Sequence, residues 1–555
     1  MATQKFKAAL TNSKFPFLYA HAPRAVLQQG LDPTARLPFS YMGNPASADY
    51  NSIEMLYCEN AVPTANGYAS VRFDDAIAAL GGSSFERFSV VRRSDETSYL
   101  IAIYVSGVFG SAYLYDPATD EWVNNFFYYS PSAYDLHSII YVGGKTYYFV
   151  QQGVLLELND TSLSFKYADL RLPENYSSPD IMCGCGASNY MILATESEIL
   201  WSAPTDSLEF ADTLLGAGRQ IPIDLKGKIR ATVPISGGFI IYTTKNAVAA
   251  FFTNRADTPF LFKEILGSAG ILSSEQVTGD ANGSEHYVYG HAGIQRVSLQ
   301  RADTILPDCA DFLSGDAYNQ WNSTTHTVDQ INSAQSKIKI NLILNRYLVI
   351  SYAFASSQFQ QALIYDLSLE RWGKVKTPHV DVGLLPWAIN SAAGSRPATI
   401  EELTDPIEDY VVPIGNFNVL TGEDTVELEL LHWRDNIGFM SYDAAIKAMK
   451  VENSLQSVES GSGVLVFGHV QVTRGRKVTL QAIELDGLVD GNVYVLPSLS
   501  GYDRDTSQAT TLTDSDGNYK QYRKRVTAEN FDVAIEAGSF SLSSVVIETT
   551  IHGSR

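Results

Sequence analysis

The residues best suited to chemistry in this chain are few and scattered. Cys183 and Cys185 form Cys-Gly-Cys, a spacing that could hold a metal or cycle as a dithiol, but a zinc site needs a second Cys or His pair and none follows closely. They read as two small residues on a strand. His286 and His291 stand five apart across a hairpin and read as ordinary strand and turn positions rather than metal ligands. The tract DSDGN, Asp514 to Asn518, has the acidic density of a calcium loop but lacks the third acidic position and the distal Glu; Asp516-Gly517 makes a good hairpin turn instead. There is no HExxH, GxSxG, Walker A loop, strand-to-helix GxGxxG or S-x-D-x-G-x-x-W box. No catalytic, cofactor-binding or metal-binding residue is expected, and the chain is not expected to be an enzyme.

One spacing recurs with more weight. Asp116 stands six residues before Trp122 in LYDPATDEW, and Asp366 six before Trp372 in IYDLSLERW, each Asp preceded by a Tyr. Such a pair could form a sugar subsite, with Trp122, Trp372 and Tyr365 as stacking platforms and an Asp beside them. No second carboxylate recurs at a fixed spacing, however. The favoured reading is an Asp-rich turn followed by an indole packed between neighbouring sheets, as in kelch-type and related propellers.

The elements that must carry these residues repeat. Apolar strand, polar or Gly turn and second apolar strand recur around Phe109, Gly153, Ser197, Asn246 and Gly293, at gaps of 44, 44, 49 and 47 residues, and again near Ser357 after a gap of 64. A period of 40 to 50 built from strands is the mark of propeller blades, because a four-stranded blade cannot bury both faces alone. Six hairpins are countable, and a seventh depends on residues 426–442. The fold class is therefore all-β: a six- or seven-bladed β-propeller. Closure of the ring is expected to pair the strand near Ala69 to Phe73 with late blade strands, which removes exposed edges.

Composition sets the outer limits. At 555 residues, 45% hydrophobic and 11% aromatic, the chain can hold two or three domains with large cores, and 31 Tyr against 7 Met favours β structure. The apolar runs are strand-length, so no transmembrane helix and no membrane insertion is expected. Residues 1–20 lack a continuous apolar run before a small-residue cleavage site, so no secretion signal is expected. Four cysteines, Cys58, Cys183, Cys185 and Cys309, are too few for a disulfide framework and fit a reducing cytoplasm. With 61 acidic and 40 basic residues the formal charge is −21, the opposite of what phosphate neutralisation needs, which argues against specific nucleic-acid binding. The basic runs Arg474, Arg476, Lys477 and Lys520, Arg523, Lys524, Arg525 read as solvated strand faces, with contact to an acidic partner as the alternative.

The domain expectation is an extended arm over 1–60, a propeller over 61–455 with insertions near 307–337 and 389–424, and a strand-rich C-terminal region over 456–555. Its alternating apolar and polar residues suggest a small sandwich or a blade extension.

Three stretches carry a family resemblance. Residues 55–73, MLYCENAVPTANGYASVRF, contain an "EN-x-x-P-x-x-x-G-Y" tract; residues 199–272 contain "DxLxF", "GAG" and "GFIIYT-x-x-N"; and IYDLSLERWGKVKTPHVDV is the third. Together they cover about a fifth of the chain and resemble the propeller-containing nozzle, or tail-stabilisation, proteins of short-tailed bacteriophages. The resemblance implies a structural virion protein, assembled in the bacterial host cytoplasm as a homo-oligomeric, hexameric ring below the portal and adaptor. DNA would pass through that ring during ejection without specific binding. No catalytic residue transfers. An acidic ring would repel phosphates and let the genome slide. The alternative is a host-surface carbohydrate-binding or depolymerising propeller, and a third reading is a cellular protein-interaction propeller. Contacts to neighbouring subunits are expected from the irregular parts, namely the arm, 307–337 and 389–424.

Overall fold

The computed structural model describes residues 3–9, 51–385 and 437–551, less short stretches inside these limits of which the longest are 452–462 and 499–509. Strands dominate, and the one α-helix among the described residues is Asp308–Ser314. The 389–424 segment, most of the arm and most of the DSDGN turn lie outside the described residues.

Seven four-stranded antiparallel meanders follow one another among the described residues. Blades 1 to 5 are the strands within 85–129, 136–167, 183–220, 229–264 and 277–306, and blade 6 spans 335–379. Blade 7 takes three strands from late in the chain, Asp381–Leu384, Ile437–Met440 and Ile446–Val451. Its fourth strand is Tyr68–Ile77, paired through Val71 with Val451 and Phe73 with Met449. An early strand thus completes the last blade and closes the ring, as the pairing expected near Ala69 to Phe73 requires. The chain is an all-β propeller.

Local sequence explains the blades. In blade 4 the strand Gly238–Thr243, GFIIYT, is buried at every position, because a central strand is covered by a neighbouring blade on each face and must be apolar throughout. In blade 2 the turn after Val142 uses Gly143 and Gly144 at φ 58° and 73°, the left-handed pair that a tight hairpin demands. Cores lie between successive blades: Cys183, Trp201, Phe239 and Phe260 between blades 3 and 4, and Phe85, Trp122, Met440 and Ile446 between blades 1 and 7. Each large side chain buried this way contributes about 1.5–3 kcal/mol of apolar transfer.

Beyond the propeller stands a curled sheet built on two very long strands, Val478–Ser498 and Asn530–Ile551, paired along their whole length. At ~3.3 Å per residue each would span roughly 70 Å if straight, but the pair is bulged at three places. One is at Gly487, whose φ of 153° and close approach to Ser541 suit no other residue. The first half of the ribbon is flanked by Gln521–Ala528 and Thr3–Ala9, the second by Thr510–Asp514, Gly463–Val470 and Glu54–Glu59. The result is a half-barrel whose inner face (Leu480, Ile483, Val493, Val533, Ile535, Ile547) is one core with Tyr57, Trp321 and Trp372. Early residues of the chain are therefore strands of this sheet.

The insertion at 307–337 is a helix followed by a hairpin, Ala317–Asn322 with Thr327–Asn332. Cys309, Phe312, Leu313 and Trp321 are buried in the same core, and Phe312 meets Tyr352 edge-on at 5.6 Å. This segment has a reason to be ordered within its own chain, which the expectation that it serves neighbours did not contain.

Candidate functional site

Two places gather buried polar groups among the described residues. One is the propeller axis. The first strand of every blade contributes to a central cavity of about 300 Å³, with Phe88, Ser138, Cys183, Thr232, Thr278, Asn341 and Asp381 coming from seven different blades. Inside it Lys339 Nζ lies 2.5 Å from Asp381 Oδ1 and 3.9 Å from Glu275. Asp381 is also held by the backbone N–H groups of Phe88 (3.1 Å) and Val382 (2.9 Å) and by Asn341 Nδ2 (3.2 Å). A carboxylate so supplied with donors is an anchor that fixes blades 1, 6 and 7 to one point. The cavity has the volume of a small-ligand pocket, and a nucleic-acid duplex does not fit within it.

The second place is the joint between the propeller and the half-barrel. The outer strand of blade 6, Arg371–His379, pairs with Ala61–Pro63, which pairs with Tyr68–Ile77, which meets Ser541 and Leu542 of the half-barrel. Lys374 is fully buried here, with Nζ 3.0 Å from the Tyr57 hydroxyl and 4.7 Å from its ring centroid. The hydroxyl of Tyr57 donates to Glu59 at 2.6 Å, and Lys376 reaches the other oxygen of Glu59 at 3.4 Å. Burial lowers the Lys374 pKa to about 8, against the opposing pull of Glu59. Burial, then Glu59, raises that of Tyr57 well above its ordinary value. Beside them, Ser70 Oγ accepts from Phe540 N at 2.8 Å and Arg371 donates to Thr64 O at 3.1 Å.

The residues singled out by sequence fall as follows. Tyr115 and Trp122 are cross-strand partners with ring centroids 5.4 Å apart, as are Tyr365 and Trp372 at 4.7 Å. Trp122 and Tyr365 are each 8% exposed and Trp372 1%. None of the three aromatics offers a platform to solvent. Asp366 is fully buried, accepts from Arg346 at 2.7 and 2.9 Å, and turns the chain by accepting from Ser368 and Leu369. Burial alone would raise its pKa, but Arg346 and these donors outweigh it and hold the carboxyl below its usual range.

Cys183 and Cys185 line the axial cavity, each 2% exposed; burial pushes the Cys183 thiol up to about 12 and raises that of Cys185. Protonated thiols so deep are poor nucleophiles and poor ligands. His286 is buried between Tyr242 (Nδ1, 2.8 Å) and the Pro234 carbonyl (Nε2, 2.9 Å), so Nε2 carries the proton and Nδ1 accepts from the tyrosine. His291 lies exposed at a turn, and no metal-holding cluster exists among the described residues. Arg523 and Arg525 are exposed on one face of their strand, with Tyr522 and Val526 buried on the other.

Lys339, Asp381, Lys374 and Tyr57 escaped the sequence reading. The available signal was a strand lysine between β-branched neighbours, Lys337-Ile-Lys339 and Lys374-Val-Lys376, where strand alternation puts both lysines of each pair on one face and leaves open which of them is buried.

No protein-family model matches the chain, and no curated protein matches it in sequence. Similar solved structures include one of U3-55K, 8% identical over 57% of this chain and 88% of that one, with a TM-score of 0.35. The WD40 repeats of RRP9 are 8% identical over 57% and 89%, with a TM-score of 0.36. The computationally designed Ika8 protein is 7% identical over 68% and 99%, with a TM-score of 0.35. Likeness at this level carries no argument, and the fold rests on the strand pairing.

Proposed function

We propose that this chain is a structural subunit of a short-tailed bacteriophage tail, forming a homo-oligomeric nozzle ring below the portal and adaptor through which DNA passes during ejection. The observation that carries this reading is the joint. Propeller and half-barrel are continuous through main-chain pairing and share one core around Tyr57, Trp372 and Leu465, an arrangement suited to bearing load. The three stretches that resemble the nozzle family supply its structural parts: 55–73 makes the joint and closes the ring, 199–272 contains blade 4, and the third gives the outer strands of blade 6 and the first of blade 7.

Since the axial cavity of one propeller is too small for a duplex, the DNA path in such a ring runs between subunits, and the −21 charge favours a lumen that repels phosphate. The glycan-binding alternative loses its platforms, because Trp122, Trp372 and Tyr365 are buried. Immunogold labelling of purified phage particles with antibody to this chain tests the reading. Label at the tail just below the capsid is expected; label absent from particles, or confined to peripheral fibres, overturns it.

A further inference from the structure

Exposed aliphatic side chains are concentrated in one part of the ring. Among the described residues eleven large hydrophobics are exposed, and seven of them lie between 214 and 272, in the outer parts of blades 3 and 4. Ile223 is 95% exposed, Leu272 78% and Leu266 76%. These three sit on the connections that leave blades 3 and 4. In a meander every such connection emerges on the same face of the ring as the middle turn of each blade.

Hydrogen bonds draw them together on that face. Asn246 Nδ2 donates to the Asp224 carbonyl (2.9 Å), Glu264 N to the Asp224 carboxylate (3.0 Å), and Ile271 N to the Thr243 carbonyl (2.9 Å). Ile223, Leu266 and Leu272 are thus each one or two residues from a single bonded cluster.

Charge sets this region apart as well. Residues 214–272 hold seven Lys and Arg against three Asp and Glu, a net of +4, and the remaining 33 basic and 58 acidic residues leave −25 elsewhere. On this face Lys226, Lys228 and Lys245 are exposed, Lys226 paired with Glu264 and Lys228 with Glu196, whereas Arg255 lies on the opposite face in the turn between the third and fourth strands of blade 4. An aliphatic rim fringed with cations suits an acidic protein surface. The rest of this chain is one.

We propose that the rim formed by Ile223, Leu266 and Leu272, with Lys245 beside it, is a docking surface for an acidic face of a second copy of this chain. The choice of partner rests on the ring-forming reading above. The contact is heterologous, one patch meeting a different patch, which is the geometry that generates rings. A neutral-to-basic apolar area of this kind lowers the repulsion between two copies of a strongly acidic chain.

The test is sedimentation velocity of the full chain and of Ile223→Asp/Leu272→Asp and Lys245→Glu variants, at low and high salt, with thermal melting alongside. Both aliphatics are exposed, so the variants are expected to melt with the parent. The parent is expected to assemble, Ile223→Asp/Leu272→Asp to stay monomeric, and Lys245→Glu to assemble at least tenfold more weakly at low salt. Assembly of parent and variants alike overturns this surface while leaving the ring reading intact. A parent monomeric at every concentration overturns self-docking here, and immunogold labelling judges the ring reading separately. Co-sedimentation of the parent with phosphatidylglycerol vesicles, lost in Ile223→Asp/Leu272→Asp, would assign the rim to a membrane and overturn the proposal.

Discussion

Lys374 Nζ lies 3.0 Å from the hydroxyl of Tyr57, 317 residues away in the chain, where blade 6 meets the half-barrel. The pair is fully buried, and the Lys374 ammonium could not be held there without Tyr57, whose hydroxyl also donates to Glu59 on its own strand.

This contact gives the joint a pH dependence. The Lys374 pKa is lowered to about 8 in the fold, against 10.5 ordinarily. Between those values the unfolded chain holds a proton that the folded chain has released, so the contribution of Lys374 to stability rises with pH from about 8 to about 10.5, by on the order of 3 kcal/mol, while the raised Cys183 and Cys185 thiols act in the opposite sense above their ordinary range. Below pH 8 the fold bears the full cost of a buried cation. Lys374→Met is expected to flatten this rise, because Tyr57 still donates to Glu59 and Lys376 still faces it. Urea titrations from pH 7.5 to 10.5 measure it, and a slope retained in the variant would reject the assignment.

His379 acts on the acid side. Burial lowers its pKa to about 4, and it sits neutral with Nδ1 donating to the Thr377 carbonyl (2.7 Å) and Nε2 accepting from Ser351 (2.8 Å). As pH falls from about 6.5 to 4 the unfolded chain takes up a proton that the folded one refuses, and stability drops across that window. His379→Gln should shrink the loss. Melting temperatures between pH 7 and 4.5 would show it, and identical acid slopes would count against the assignment.

Asp366→Ala leaves Arg346 without its buried partner and removes the acceptor that turns the chain at Ser368. A loss of about 3 kcal/mol or more is expected in chemical denaturation. A change below about 0.5 kcal/mol would show that the motif aspartate is ornamental.

Trp122→Ala and Trp372→Ala each create a cavity between packed sheets and should cost about 3–5 kcal/mol. Aromatics serving as glycan platforms would instead leave the melting temperature unchanged and abolish polysaccharide binding, so calorimetry paired with a binding assay separates the two readings.

Deleting residues 61–80 removes the fourth strand of blade 7 together with the joint. The expected product is insoluble, since the strand Ile446–Val451 becomes an open edge. A soluble, well-behaved monomer would refute closure by this strand.

What the sequence determined by itself was whatever lies within one blade. The turns and the Tyr-Asp-x5-Trp spacing depend on residues fewer than about ten apart, and Tyr365 facing Trp372 follows from the register that the short turn between their strands imposes. The closing strand was legible too, because a propeller must end its edge somewhere. Only the tertiary structure decided what meets across hundreds of residues. Lys374 and Lys376 look alike in GKVKT, and only the arrival of Tyr57 makes one a buried joint residue while the other stays half exposed beside Glu59. Lys339 and Asp381 come from different blades, and only the packing of blade 6 against blade 7 brings their charges to 2.5 Å. The insertion at 307–337 looked free in sequence because its apolar residues are few and irregularly spaced. Its burial depends on a core assembled from the two ends of the chain.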